Sequence, residues 1–398
     1  MSTNILSAKR STQIYFLICG LGLSAWAPLV PFAKDRLQLN DSNLGLLLLF
    51  LGIGAFCTMP VTGWLAQRIG TKPIIIITAL LIALALPTLA IVNTFTGMAI
   101  MLFVFGMGIG GIDVAMNTHG SLVQTVSGAP IMSGLHGLFS VGGLCGPLLV
   151  SGLLKAGLSP FMAVSILAGC ILVMVVGGYN GLYDHQDEKQ LNQTTDEEDT
   201  GTNNKKSAWL NGTVIFLGVM CFISFLSEGA MIDWAALLLR DYRGADEDIA
   251  GIGYAAFSIA MATMRFAGDN IIARFNSHTV VVMGSFIAFL GYSVILFVAW
   301  LPATLLGFVL IGLGVANIVP VFFSQAGSMK VVSAAAAVSV MGTIGYTGQL
   351  AGPAILGFLA QQFTLPVALF ATGVLTLISG CCYWLWQRKA PQPPKGGD

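Results

Sequence analysis

The chain has 398 residues, of which 56% are hydrophobic and only 9% are charged, and its formal net charge at pH 7 is zero. A soluble domain carries about 25% charged residues, so this composition excludes a soluble globular protein and favours a chain built for the lipid bilayer. Burial in a membrane also argues against a nucleic-acid partner.

Twelve apolar runs, each long enough to cross a bilayer, follow one another along the chain. We predict an all-α membrane protein with twelve transmembrane helices, near 12–33, 43–66, 73–92, 95–125, 131–154, 159–182, 208–239, 247–273, 279–300, 302–329, 332–360 and 364–387. With both termini in the cytoplasm, the cytoplasmic segments hold 12 Lys and Arg residues and the outer loops hold five. This asymmetry predicts cytoplasmic N- and C-termini.

The polar joint between the second and third runs reads Gly-Trp-Leu-Ala-Gln-Arg-Ile-Gly-Thr-Lys over residues 63–72. It resembles the loop between helices 2 and 3 of major facilitator superfamily (MFS) transporters, Gly-x-Leu-Ala-Asp-Arg-x-Gly-Arg-Lys, with Gln67 where the family usually has Asp. The resemblance implies transport by alternating access in a bacterial inner membrane. It also implies a gating role for the residues that match the motif, namely Gly63, Arg68, Gly70 and Lys72.

Two pairs of glycine motifs indicate an internal repeat. Residues 108–113 match 312–317 with an offset of 204, and residues 142–147 match 348–353 with an offset of 206. The polar stretch 183–207 has too few apolar residues to fold against anything, so we predict a disordered cytoplasmic linker there. The predicted organisation is two pseudo-symmetric six-helix bundles, 1–182 and 208–390, followed by a cytoplasmic tail, 391–398.

Asp113 is an acidic side chain near the middle of predicted helix 4. An ionised group in hydrocarbon costs about 2.5–3.5 kcal/mol or more, so it requires a reason to be there. Asn117 follows one turn later on the same face, and the short turn before helix 5 places Asp113 level with Gly142 and Gly143. We predict that Asp113 couples proton movement and that Asn117 binds the substrate. The alternative is a neutral carboxylic acid that is hydrogen-bonded within the bundle.

Two histidines, His119 and His136, are predicted to lie at one depth in helices 4 and 5. We assign both to the substrate site, while the residues alone leave open a proton relay and a packing role with bonds to carbonyl groups. The polar surface of the second half is assigned to the same site, and consists of Asn317, Gln325, Tyr346 and Gln349.

Predicted helices 7 and 8 add further ionisable side chains. Glu228 lies near the middle of helix 7, which corresponds to helix 1 in the repeat, and we predict that it is a second proton-coupling residue. Trp234 is assigned to substrate binding by stacking on a sugar face, with an interfacial anchor as the alternative. Arg265 and Asp269 are four residues apart on helix 8, and we predict an ion pair that controls the inner gate.

The segment Asp113-Val-Ala-Met-Asn117 resembles the acid-x-Ala-x-Asn signature of fucose-permease-like transporters, which use Glu at the first position. The resemblance implies roles in proton coupling and sugar recognition for these two residues. Helix 1 has no acidic residue between Gln13 and Ala33, although fucose permeases carry one in that helix. Our hypothesis is that Glu228 replaces it by pseudo-symmetry.

No phosphate-binding glycine loop, nucleophile motif or metal-ligand spacing occurs, and all seven cysteines fall inside predicted spans. We therefore expect no enzyme activity, cofactor or metal. The expected function is a monomeric secondary transporter that couples a small polar solute to protons in symport. The alternative is a proton-antiport exporter, because Gly142-x-x-x-Gly146-Pro147 partly resembles an antiporter motif. A third alternative is a sensor or scaffold protein that retains the fold but does not transport a solute.

Overall fold

The computed structural model describes residues 4–39, 41–196, 208–245, 252–329 and 331–389. The described residues form helices and no β-strand. The α-helices are α1 Ile5–Ser24, α2 Val30–Arg36, α3 Asp41–Ile69, α4 Thr71–Leu89, α5 Phe95–Ser127, α6 Met132–Lys155, α7 Pro160–Gly178, α8 His185–Asp196, α9 Gly212–Arg243, α10 Ile252–Phe297, α11 Leu301–Val315, α12 Ile318–Gly327, α13 Ala334–Gln362 and α14 Leu365–Lys389.

Ten helical segments among the described residues are long and apolar enough to cross a membrane. One of them, α10, has 46 residues and is interrupted at Asn276, whose φ of 65° and ψ of 158° are not helical. The Asn276 side chain accepts a hydrogen bond of 2.9 Å from the Thr279 N–H and so caps the second part. The α10 helix therefore supplies predicted spans 8 and 9, and the 29-residue α13 corresponds to span 11. The twelve-helix fold is confirmed.

Predicted span 10 is a broken helix in the structure. The α11 helix ends at Val315 and α12 begins at Ile318, so Ala316 and Asn317 lie between two helical segments. A break of this kind leaves backbone polar groups without their usual partners inside the helix, and in a membrane those groups must bind something else.

The helices group into two compact units. The first unit comprises Met1–Gly218 and Phe323–Tyr346, and the second comprises Val219–Phe322 and Thr347–Asp398. The first unit thus includes a segment of the second half, residues 323–346, which we call the 323–346 segment. The predicted bundle boundaries stay a prediction, and the predicted tail 391–398 lies outside the described residues.

Close helix crossings occur at equivalent places of the repeat in the two units. In the first unit α6 crosses α1 so tightly that a Cβ atom on Gly142 would lie 2.5 Å from the Leu17 carbonyl oxygen. In the second unit a Cβ atom on Gly348 would collide with the Phe222 carbonyl oxygen of α9. Only glycine permits backbones to approach this closely, so these glycines are required by packing.

The predicted disordered linker is wrong for its first part. Residues 185–196 form α8, and Tyr183, Glu188 and Leu191 are buried. The composition of the stretch is polar, yet these few side chains pack against the first unit and fix the helix. Residues 197–207 lie outside the described residues.

Glu188 caps the N-terminus of α4. Its two carboxylate oxygens each accept a hydrogen bond of 3.2 Å from the Thr71 N–H, and the Thr71 hydroxyl donates to Oε1. A carboxylate is favourable there because the first N–H groups of a helix lack partners within it. Gly70 adopts a φ of 82°, and a Cβ atom at this position would lie 3.0 Å from Glu188 Oε2. The linker helix thus holds the joint between α3 and α4.

Burial raises the pKa of Glu188 from its ordinary value of 4.5 to about 7, although the hydrogen bonds from Thr71 act in the opposite direction. Between these two values the folded protein holds a proton that the unfolded chain has released. The stabilising contribution is therefore complete below pH 4.5 and is lost as the pH rises through 7. The difference corresponds to roughly 3 kcal/mol at most.

We expect Glu188→Gln to remove this pH dependence, because glutamine still accepts a hydrogen bond from Thr71 but carries no charge. Hydrogen–deuterium exchange of the first amides of α4 at pH 5.5 and pH 8, corrected for intrinsic exchange, measures the effect. Asp184→Asn is the matched control, since it removes an exposed carboxylate of the same segment. It should keep most of the wild-type dependence, because burial is the largest cause of the raised pKa of Glu188 and the charge of Asp184 is the smallest. An equal pH dependence in Glu188→Gln and wild type would contradict the prediction.

Candidate functional site

A chain of hydrogen-bonded polar groups lies inside the first unit. The Asn117 amide nitrogen donates to the Asp113 carbonyl oxygen at 2.8 Å and to the Asp113 carboxylate at 3.2 Å. The Asn117 amide oxygen lies 3.0 Å from His136 Nε2, so this ring nitrogen acts as the donor. Asn117 is fully buried. The structure therefore brings Asp113, Asn117 and His136 together on α5 and α6.

Aromatic side chains enclose this chain. The ring of Phe16 meets the His136 ring edge to face with centroids 5.2 Å apart, and the Phe323 ring lies 5.6 Å from it. Tyr346 lies close enough to Asp113 to experience its charge. Of the side chains assigned to the substrate site, Asn117, His136 and Tyr346 thus lie in the same part of the first unit as Asp113.

His119 is bound in a different way from His136. Its Nδ1 lies 2.9 Å from the Thr12 hydroxyl, and its Nε2 accepts a hydrogen bond of 3.0 Å from the Tyr183 N–H. The Thr12 hydroxyl already donates to the Ala8 carbonyl, so it accepts from Nδ1. Both ring nitrogens are therefore occupied, with the proton on Nδ1. These contacts favour the packing role for His119, while its predicted place in the substrate site stays a prediction.

In the second unit, Arg265 lies beside the break between α11 and α12. Its Nε donates to the Ala316 carbonyl oxygen at 3.1 Å, and a terminal nitrogen lies 3.3 Å from the Glu228 carboxylate. The side chain of Arg265 is 3% exposed and that of Glu228 is 17% exposed. The structure thus places the guanidinium in the interior of the unit, next to Glu228, and the predicted gating pair with Asp269 stays a prediction.

Asn317 adds an acceptor at the same break. Its amide nitrogen donates to the Met264 carbonyl oxygen at 3.3 Å. Its amide oxygen is buried and has no hydrogen-bond partner among the described residues. Gln349 of α13 packs against Gly229, the neighbour of Glu228. Polar groups from α9, α10, the helix break and α13 thus meet in one region of the second unit.

Trp234 lies farther along α9, with its ring edge against Gly357 of α13. The indole Nε1 is buried and has no hydrogen-bond partner within the described parts of the chain. A buried indole N–H usually finds an acceptor, so this donor is available to a bound solute. Gln325, in the 323–346 segment of the first unit, has an amide oxygen that is likewise buried.

The joint over 63–72 packs against the 323–346 segment. A Cβ atom on Gly63 would collide with the Ser339 side chain and would lie 3.1 Å from the Ala335 carbonyl oxygen. The Ser339 hydroxyl donates to the Met59 carbonyl at 2.7 Å. A cavity of about 340 Å³ beside this contact is lined in part by Trp64 and Ser339. The start of α13 is therefore fastened to the end of α3.

The cations of the joint have separate partners. The guanidinium of Arg68 lies over the Trp64 ring, 4.1 Å from its centroid. Lys72 forms an ion pair of 2.8 Å with Asp184 and lies 4.6 Å from the centroid of the Tyr179 ring. Lys72 thus joins Glu188 in linking α4 to the stretch that precedes and includes α8.

Sequence reasoning missed Gln124 at the end of α5. Its amide oxygen accepts hydrogen bonds from the Ile131 and Met132 N–H groups at 2.9 and 3.2 Å, and its amide nitrogen donates to the Ser324 hydroxyl. It therefore caps α6 and binds the 323–346 segment at once. One feature of the sequence could have indicated this cap. A glutamine, whose amide side chain is long, lies one turn before Gly128, and Gly128 ends the helix with a φ of 66°.

Within the described residues, no group of three or more His, Cys, Asp or Glu side chains could hold a metal ion. The polar clusters described above consist of groups that form hydrogen bonds and ion pairs.

The sequence profile of the Major Facilitator Superfamily matches residues 14–342. An uncharacterised MFS-type transporter of Yersinia pestis is 41% identical over 372 residues, which is 94% of each chain. The solved structure of the Escherichia coli fucose:proton symporter FucP matches with a TM-score of 0.76 at 15% identity, over 97% of this chain and 98% of that one. The proton:xylose symporter XylE matches with a TM-score of 0.77 at 13% identity, over 97% and 96%.

The match to FucP confirms the expected likeness to fucose-permease-like proteins at the level of the fold. The profile covers most of the chain, and the helices and the joint over 63–72 agree with it. The chain therefore belongs to the Major Facilitator Superfamily of membrane transporters.

Proposed function

We propose that this protein is a secondary active transporter that carries a small polar solute, sugar-like or a related metabolite, together with protons in symport. The observation that carries the proposal is the hydrogen-bonded chain from Asp113 through Asn117 to His136. An acid in hydrocarbon, with amide and imidazole groups attached to it, combines a proton acceptor with hydrogen-bonding groups for a polar solute.

Protonation removes the charge of a buried carboxyl group and makes reorientation of the protein less costly. Asp113 in the first unit and Glu228 in the second are the carboxyl groups that take up protons in this proposal. Asn117 and His136 bind the solute, and Asn317 and Gln349 supply further hydrogen bonds. Alternating access, as in other transporters of this architecture, then exposes the solute to each side in turn.

We place the protein in a bacterial inner membrane as a monomer, with both termini in the cytoplasm. The distribution of Lys and Arg supports this orientation, with 12 cations on the cytoplasmic side and five outside. The joint over 63–72 and the 323–346 segment then belong to the cytoplasmic gate.

The exporter alternative stays a prediction. It rests on the glycines of α6, and the backbone contact between Gly142 and Leu17 gives one of them a packing role. Gly146 likewise packs on α1, where a Cβ atom would lie 2.7 Å from the Leu21 carbonyl oxygen.

Proton influx into proteoliposomes on addition of a panel of sugars, polyols and sugar acids tests the proposal. Two solved proteins of this fold are symporters of a sugar and a proton, and they supply the class of solute for the panel. We expect solute-dependent influx in the wild type and none in the double variant Asp113→Asn, Glu228→Gln. Influx that persists in a folded double variant would refute the assignment of the two carboxyl groups. Drug extrusion without solute-dependent influx would favour the exporter.

A further inference from the structure

Arg265 is unusual because it is the one Lys or Arg residue, of 18 in the chain, that lies inside a predicted span. A guanidinium cannot lose its charge in a protein, so Arg265 needs an anion whenever it is buried. The structure gives it the Glu228 carboxylate at 3.3 Å.

The broken helix fixes the direction of this guanidinium. The Ala316 carbonyl oxygen lies at the break between α11 and α12 and accepts from Arg265 Nε at 3.1 Å. Glu228, from α9, takes a terminal nitrogen of the same group. A guanidinium oriented by two elements presents its donors in a fixed fork, and this geometry matches a carboxylate.

We propose that the solute carries a carboxylate, which replaces Glu228 as the anion bound to Arg265, while Glu228 takes up a proton. The inference rests on the proposed symport and narrows its solute to sugar acids. The hydroxyl groups of such a solute would bind the buried Asn317 amide oxygen, which has no partner among the described residues.

Charge balance supports this exchange. In the empty site, the pair formed by Arg265 and an ionised Glu228 has no net charge. In the loaded site, the group formed by Arg265, a protonated Glu228 and the solute carboxylate is again neutral. If only the proton is bound, these groups have a net charge of one positive unit. If only the solute is bound, they have a net charge of one negative unit. Both half-loaded states bury an uncompensated charge, so the neutral states reorient most readily and the two cargoes move together.

Besides Glu228, α9 carries Asp233, and α10 carries Asp269 four residues from Arg265. Tyr254 of α10 experiences the charges of Glu228, Arg265 and Asp233, and Asp233 lies on the same helix as Glu228. The α11, α12 and α13 helices contain no Asp, Glu, Lys, Arg or His. Arg265 is therefore the cation that a protonation event at Glu228 affects directly.

Matched pairs of neutral sugars and their acids test the inference in proteoliposomes of the full chain. We expect gluconate, galactonate or glucuronate to drive proton influx, and glucose or galactose to drive none. Influx with neutral sugars but not with acids would overturn the inference and leave the proposed symport standing. Silence with both classes in correctly folded protein would refute the symport and this inference together.

Three substitutions separate solute binding from protonation of Glu228. Arg265→Gln should lower exchange of the labelled acid across the membrane by about 100-fold or more, because the anion loses its partner. Glu228→Gln imitates the protonated carboxyl group, so it should keep acid exchange. Arg265→Lys keeps the positive charge but lacks the forked donors of the guanidinium. We expect its acid exchange to lie between that of the wild type and that of Arg265→Gln. Loss of exchange in Glu228→Gln equal to that in Arg265→Gln would contradict the exchange mechanism.

Discussion

Replacing Asn117 with leucine is expected to reduce solute exchange in proteoliposomes by about 100-fold or more. Asn117 is fully buried and connects the Asp113 carboxylate with His136 Nε2. Leucine has the same branched shape and number of side-chain heavy atoms, but it has neither a hydrogen-bond donor nor an acceptor. The variant therefore leaves two polar groups without their shared partner and removes an amide that binds the solute.

Thr118→Val provides the matched control for this experiment. Thr118 is the next residue of α5, is also buried, and its hydroxyl donates only to the Val114 carbonyl, at 2.8 Å. Its replacement loses one hydrogen bond and is expected to lower stability by about 1 kcal/mol while exchange continues. Melting temperatures in detergent separate loss of fold from loss of exchange. Normal exchange in a folded Asn117→Leu variant would remove Asn117 from the site.

The Asp113–Asn117 pair could be predicted because its geometry is local, whereas the bond from Asn117 to His136 could not, since the expected depth of helix 5 placed His136 level with His119. Residues four apart on a helix share a face. The family could be predicted for a similar reason, since the joint over 63–72 is a contiguous motif between two apolar runs.

The contacts of His119 and Arg265 with other helices could not be predicted, because they come from distant parts of the chain. His119 binds Thr12 of α1 and the backbone at Tyr183, and neither contact leaves a periodic signal. Arg265 reaches Glu228 and a helix break that hydropathy does not reveal, since Ala316 and Asn317 continue an apolar run. Spacing along one helix points only to neighbours on that helix, whereas side-chain direction and tertiary packing decide which other helices a long side chain reaches.

The α8 helix shows how composition can mislead. A stretch with many charges was predicted to be disordered, because it has few apolar side chains to bury. Glu188 is nevertheless buried, since the N–H of Thr71 and the hydroxyl beside it supply hydrogen bonds. A buried charged residue with such partners is invisible to any average over the segment.

The second large effect is expected when Gly63 is replaced by a larger residue, because the added side chain should separate α3 from the start of α13. Even a Cβ atom there collides with Ser339, so Gly63→Leu should break the Ser339 hydrogen bond to the Met59 carbonyl. We expect transport to fall by about tenfold or more, and the amides of Ala334–Val340 to exchange with deuterium faster than in the wild type.

Gly169→Leu is the control, because a Cβ atom at Gly169 of α7 meets nothing within 4 Å. This variant tests whether a large side chain in a transmembrane helix is harmful in itself. We expect normal transport and normal protection of the amides of Ala334–Val340 from deuterium exchange. If Gly63→Leu also retained both, the contact between the joint and the 323–346 segment would not constrain the transport cycle. If it lost transport with protection unchanged, the joint would act through a step other than opening of this contact. The paired readouts therefore distinguish a gate from a mere packing site, a distinction that the resemblance of residues 63–72 to the family motif does not make by itself.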